Sequence, residues 1–267
     1  MATYKLVDSD KLDAAMTATA DAIRAKTGST DPIAWDSEKG MSEAVDGISA
    51  DSYYDTFWDA YQEDGNRKNY EFAFARNGWN DITFSPKYDI KTQGTYTATS
   101  MFQSCYVTDV AQRLEKAGVT LDTSGAGYFI QTFQSSRSKR WPTISMENAT
   151  SAQLSFNSAE CETIDLLIAN ENCVWNNTFN STNKLKNITF DGAIGNTIDI
   201  HWSPLTRQSI ESLLSHLSNG STEKTATISL TAVNNAFETS TGAADGSTSE
   251  EWLTLANSKS NWNIALV

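Results

Sequence analysis

The chain has 267 residues, a formal net charge of −13 and an apolar fraction of 39%. That acidity excludes a nucleic-acid grip built on lysine and arginine, and it disfavours electrostatic attachment to anionic membranes. Two histidines, three cysteines without C-x-x-C spacing and no run of about 18 apolar residues argue against a metal triad, a disulfide framework and a spanning helix.

The N-terminus, Met1-Ala-Thr-Tyr-Lys-Leu-Val, lacks the apolar stretch of a signal peptide. Residues 9–26 are predicted to form a helix, with Leu12, Ala15, Met16, Thr19, Ala22 and Ile23 on one stripe and Gly28 as its C-terminal stop. A second helix is predicted over 39–48, carried by Met41, Ala44, Val45 and Ile48. This helical attachment segment, 1–50, is too small to hold a core alone, so it should dock on another body.

Residues 51–96 are dense in aromatics. Phe57, Trp58 and Tyr61 stand at helical spacing, while Tyr70, Phe72 and Phe74 alternate as in a strand. The segment reads as an N-terminal cap, with a sugar-stacking platform as the alternative.

Residues 97–202 carry a repeated signature: Met101-Phe102-Gln103-Ser104, Thr132-Phe133-Gln134-Ser135, Ser155-Phe156-Asn157-Ser158 and Thr178-Phe179-Asn180-Ser181. The last three phenylalanines are 23 residues apart, and Trp202 lies 23 beyond Phe179. A fixed period of this length implies stacked units that bury their apolar edges against one another. Ile144, then Leu166 with Ile168, then Ile188 with Phe190 are the expected core positions of the strands. The longer step from Phe102 to Phe133 holds a predicted helix over 108–118. Residues 203–267 break the period and read as an α/β cap. It should contain a helix from Thr206, strands around Ala226–Leu230 and Trp262–Leu266, and a capping box at Thr248-Ser-Glu-Glu251. The fold expected is thus α+β: an N-terminal helical segment, a short leucine-rich-repeat-like solenoid and an α/β C-terminal cap.

Chemistry is sparse. His201 and His216 have no neighbouring ligand set, and no phosphate loop or nucleophile elbow occurs. Glu160 and Glu162 flank Cys161 and suit either a glycosidase pair or a solvated strand face. Cys105, Cys161 and Cys173 read as free structural thiols. Asn148 and Asn187 open sequons, but such tripeptides arise by chance in an Asn/Thr-rich chain and bonding to turn backbone is the simpler account. The candidate surface-binding residues are Arg137, Lys139, Arg140 and Trp141, the only basic cluster of the chain. They could grip an acidic glycan, a teichoic-type polymer or an acidic patch on a partner subunit; alternatively they neutralise nearby carboxylates.

The Phe-[Gln/Asn]-Ser signatures, with Leu185-Lys-Asn-Ile-Thr-Phe190 after the last, resemble the BspA-like leucine-rich repeats of bacterial surface and phage proteins. Thr19-Ala-Asp-Ala-Ile-Arg-Ala-Lys-Thr-Gly28 followed by Met41-Ser-Glu-Ala-Val-Asp-Gly-Ile48 is similar to the start of phage tail and baseplate proteins of Firmicutes phages. Trp202-Ser-Pro-Leu-Thr206, Ile210-Glu-Ser-Leu-Leu and Asn261-Trp-Asn-Ile264 resemble the ends of such proteins. Arg140-Trp-Pro-Thr-Ile144 departs from a leucine-rich strand, and leucine is sparse throughout the repeats. The resemblance implies a non-enzymatic virion protein of a tail baseplate or fibre, assembled in the host cytoplasm and contributing to host-surface adhesion. Its implied partners are other tail subunits and a host cell-wall glycan or surface protein, with a homotrimer by analogy to tail appendages. No cofactor, nucleic acid or membrane insertion is implied. The rival readings are a bacterial cell-surface leucine-rich-repeat adhesin and a polysaccharide-degrading tail enzyme.

Overall fold

The computed structural model describes residues 21, 57–58, 70–76, 78–92, 96–220, 222–237 and 250–267. The chain divides into two compact units, Met1–Asp59 and Ala60–Val267. In the first, Phe57 and Trp58 are helical and meet edge to face at 5.4 Å. Of the helix expected over 9–26 only Asp21, which is helical, is described, the helix expected over 39–48 lies outside the described residues, and so do Thr248 and Ser249 of the capping box.

Along the second unit run the strands β1 (Ile90–Lys91) and β2 (Tyr96–Thr97), the helix α1 (Val110–Ala117), and the strands β3 (Leu121–Asp122) and β4 (Ala126–Tyr128). There follow β5 (Arg140–Ser145), β6 (Thr163–Ala169), β7 (Asn187–Gly192) and β8 (Ile198–Asp199). The chain closes with α2 (Arg207–Ser215), β9 (Lys224–Ile228), α3 (Leu230–Ala236), α4 (Glu250–Ala256) and β10 (Trp262–Leu266).

The expected α+β chain with a leucine-rich-repeat-like solenoid is not found. The described residues form a mixed α/β fold with four helices and four separate short parallel sheets: β1-β3, β2-β4, β5-β6-β7 and β10-β9-β8. The sheets stay short because helices and hydroxyl side chains take the places where a next strand would pair. On one side of β5, α1 packs, and Thr123 Oγ1 accepts the amide of Ser145 at 2.9 Å and donates to its carbonyl at 2.9 Å. Beyond β7, α2 packs along the edge. Ser209 Oγ accepts the amide of Ile188 at 2.9 Å and Ser212 Oγ that of Phe190 at 2.8 Å. Serines three apart on a helix share a face, so one helix satisfies two donors of an otherwise open edge.

The interior is ordered by aromatic rings rather than leucine. Phe74, Phe102, Phe133, Phe156 and Phe179 are all fully buried. Successive centroids lie 4.9, 6.0, 4.7 and 5.6 Å apart, with the planes within 20° of parallel. Trp141 fits edgewise into the ladder, 5.0 Å from Phe102 and 4.5 Å from Phe133. Phe74 joins because residues 71–74 are turns and not the strand expected from the alternation of Tyr70, Phe72 and Phe74. Phe72 has a φ of 56° and is half exposed. Trp202, despite its 23-residue spacing, is 49% exposed and stands outside the ladder.

Backbone donors around each phenylalanine are divided in alternation. The amides of Ser100, Phe102 and Ser104 reach the carbonyls of Ile130, Thr132 and Gln134 at 2.9, 2.7 and 2.8 Å. Those of Met101, Gln103 and Cys105 close turns on Ala98, Ser100 and Phe102 at 3.1 Å each. The same alternation joins Phe133 to Ser155 and Phe156 to Thr178. It requires left-handed residues four apart, found at 100/104, 131/135, 154/158 and 177/181. Glutamine and asparagine after the phenylalanines form an amide row, Gln103 to Gln134 at 2.8 Å and Gln134 to Asn157 at 3.3 Å. The hydroxyl before Phe133, Phe156 and Phe179 reaches back one repeat: Thr132 to Ala98 O at 2.9 Å, Ser155 to Phe129 O, and Thr178 to Ala152 O at 2.7 Å.

A register shift between Ile164 and Leu167 corrects the expected core of β6. Ile164, Leu167 and Ala169 face inward, whereas Leu166 and Ile168 are half-buried, because the extra residue of a bulge moves side chains to the opposite face. Gly192, at φ 71°, ends β7 where a Cβ would lie 2.3 Å from the carbonyl oxygen of Ala169, so only glycine fits there. Helix α1 is capped by Asp109, whose carboxylate accepts the amide of Gln112, and is stopped by left-handed Gly118.

Candidate functional site

The basic cluster resolves into an ion ladder between repeats. The expected surface role of Trp141 is corrected: the inward phase of β5 buries the ring completely between Phe102 and Phe133. Arg140 forks onto Asp165, with Nε to Oδ1 at 2.9 Å and Nη2 to Oδ2 at 2.7 Å, and its Nη2 also reaches Glu115 at 3.0 Å. These partners raise its pKa further. Lys139 Nζ lies 3.9 Å from Glu162, and the Arg137 guanidinium sits 3.9 Å above the ring of Tyr106. One repeat on, Lys184 Nζ bonds Glu160 Oε2 at 2.9 Å. That bond, and the charges of Lys184, Arg137 and Lys139, hold the Glu160 carboxyl below the ordinary range.

Positive, negative and positive positions therefore follow one another across three repeats. Arg137, Glu160 and Lys184 form one row; Lys139 with Glu162, and Arg140 with Asp165, form two shorter ones. Glu160 and Glu162 are each engaged with a lysine, Glu160 with Lys184 and Glu162 with Lys139.

The remaining polar groups singled out in the sequence are also accounted for. Asp199 Oδ1 lies 2.6 Å from His201 Nδ1. His216 Nδ1 lies 2.8 Å from the carbonyl oxygen of Ser212, and its Nε2 is 4.0 Å from Asp191. Asn148 donates to the carbonyl of Ser124 at 2.8 Å, the turn-stitching role open to it in the sequence. Asn187 Oδ1 accepts from Thr206 at 3.4 Å. Cys105, Cys161 and Cys173 are buried and free, and burial pushes the thiols of Cys105 and Cys173 up to about 12. Burial raises Cys161 as well. Among the described residues, no group of three His, Cys, Asp or Glu side chains is placed to hold a metal. No described helix is long and apolar enough to cross a membrane.

Two cavities escaped sequence reasoning. One, of about 1050 Å³, lies along α2 and α4 and is lined by Gln208, Glu211, Phe237, Glu251 and Leu255 among others. Arg207 is shared between Glu211, at 2.8 Å, and Glu251 at its edge. The other, of about 510 Å³, brings Trp202, Pro204 and Asn183 against Thr231 and Asn235 of α3. Nothing local marks it in the sequence, because Trp202 shares its spacing with the buried ladder.

Comparison with protein-family models, with curated proteins and with solved structures finds no match to this chain.

Proposed function

We propose that this chain is a non-catalytic structural protein of a phage tail, in the baseplate or a fibre, that holds a rigid surface towards the host. The observation that carries this reading is the ion ladder. Lys139 with Glu162, Arg140 with Asp165 and Lys184 with Glu160 are paired across neighbouring repeats, where they fasten one to the next. Exposed pairs of this kind add little each, but several in one network hold the geometry of a surface. The aromatic ladder beneath gives that surface a stiff backing. The virion setting rests on the two N-terminal sequence segments similar to those opening tail and baseplate proteins.

The test is the composition of purified particles. Mass spectrometry of virions from the phage that encodes this chain should find it at a fixed ratio to the other tail proteins. An antibody against residues 97–202 should decorate the tail in electron micrographs. A chain absent from particles and confined to the soluble lysate would overturn the assignment.

A further inference from the structure

We infer that the Trp202 cleft is a binding site for a neutral saccharide, with the indole as a stacking platform for a pyranose ring. The inference supplies the chemistry of the host contact and so rests on the reading above.

Trp202 is 49% exposed, whereas Trp141 and Trp175 are buried. Among the described residues its indole N–H has no hydrogen-bond partner. The ring is nevertheless held in place. The His201 imidazole packs 4.8 Å from it, tilted by 38°, and Asp199 fixes that imidazole at 2.6 Å. The next residue, Ser203, is buried, and its hydroxyl lies 2.7 Å from that of Thr182. A platform on an anchored turn loses little freedom when a ligand settles on it.

The surroundings fit a sugar. The amides of Asn183 and Asn235 and the hydroxyl of Thr231 are exposed and engaged in no hydrogen bond among the described residues. They offer both donors and acceptors, as a ring of sugar hydroxyls needs. The polarised C–H face of a pyranose suits the negative face of an indole. Arg207, the cation of the cleft, is already shared between Glu211 and Glu251 and lies over Phe237 at 5.0 Å. With that charge matched, the cleft offers an anion no net attraction. Its volume of about 510 Å³ lies within the range of small-ligand sites, roughly 300–1,000 Å³.

The test uses the full chain labelled with 15N and the indole Nε1–H resonance of Trp202. The probes are the methyl glycosides of glucose, galactose, N-acetylglucosamine and rhamnose at millimolar concentration, with glucuronate and glucose 6-phosphate as anionic counterparts. At least one neutral glycoside should shift the Trp202 resonance saturably. Followed on the backbone amide resonances of Ser203, Thr231 and Asn235, which every variant keeps or replaces only at one position, Trp202→Ala should weaken that binding at least about tenfold, and Trp202→Phe should restore part of it. Asn235→Ala, an exposed change that leaves the ring in place, should weaken it about threefold or more. No shift with any neutral glycoside, undiminished binding in Trp202→Ala or in Asn235→Ala, or tighter binding of either anion would overturn the proposal. A chain found in particles but blind to the glycosides refutes the cleft alone. A chain that binds them but is missing from particles refutes the virion reading alone.

Discussion

Ser209→Ala isolates the claim that a helix side chain, and not another strand, ends the central sheet. Ser209 is 3% exposed and its hydroxyl accepts the amide of Ile188 at 2.9 Å. The same hydroxyl donates to the carbonyl of Lys186 at 3.2 Å, but that carbonyl also accepts the amide of Thr206 at 2.9 Å. Removing the hydroxyl therefore orphans one buried donor, at about 1–3 kcal/mol. Alanine returns roughly 0.5 kcal/mol through its better helix propensity. The net expectation is a loss of about 0.5–2.5 kcal/mol, towards the upper end because water has little access. Urea unfolding should show a lower midpoint with an unchanged slope. Hydrogen exchange should accelerate at the Ile188 amide more than at Phe190, whose acceptor Ser212 remains. Ser215→Ala, at an exposed site, should stay within about 0.5 kcal/mol. A Ser209→Ala protein as stable as the parent, with Ile188 equally protected, would refute the reasoning.

Other substitutions probe the rest of the packing. Phe156→Ala opens the ladder between Phe133 and Phe179 and should cost about 3–5 kcal/mol, with Phe156→Leu costing markedly less; a loss under about 1 kcal/mol would mean that the ring stack does not hold the interior. Arg140→Ala removes a forked, half-exposed pair and should cost about 1 kcal/mol at low salt, a difference that narrows in 1 M NaCl; equal stability at both salts would sink this view of the ladder. The Glu160 and Asp89 carboxyls sit below their ordinary values, Glu160 chiefly through Lys184 and Asp89 through the amide of Thr120. Their contribution is present above the unfolded-state values, near pH 4 to 4.5, and is lost as pH falls through the lower folded ones. Lys184→Met should therefore flatten the acid limb of a melting-temperature profile, and an unchanged limb would contradict the assignment. The thiols of Cys105, Cys161 and Cys173 should react with an aromatic disulfide reagent at pH 8 only as fast as the chain opens, so prompt labelling of the native protein would show that their burial is wrong.

Much of the local chemistry was legible in the signatures, though not for the reason first attached to them. Phenylalanine, amide and serine recur because a ring stacks, an amide row links the repeats and a left-handed turn closes behind them. The Phe74 repeat escaped because Tyr70, Phe72 and Phe74 alternate, and alternation normally means a strand. Here the left-handed backbone at Phe72 sends its side chain outward, between two buried rings. The inward face of β6 escaped for a related reason: a bulge displaces the period of two, and its position depends on the partner strand. Ser209 and Ser212 read as ordinary polar residues of a helix. Only the neighbouring edge of β7 gives them a role.

The basic cluster holds the more general lesson about sites. Read along the chain, Arg137, Lys139 and Arg140 are an isolated patch of positive charge and invite an acidic ligand. Read across the period, the same stretch meets Glu160 and Glu162 after 23 residues, Asp165 after 25, and then Lys184. Lys139 and Arg140 meet a carboxylate at these offsets, while Arg137 lies over the ring of Tyr106. Trp202 gives the converse case. Its spacing predicts burial, yet the ring lies half in solvent, beside amides that carry no internal bond. The period thus sorts the side chains twice: charges that find their complement one repeat away belong to the scaffold, and an aromatic that leaves the ladder is free to meet a ligand.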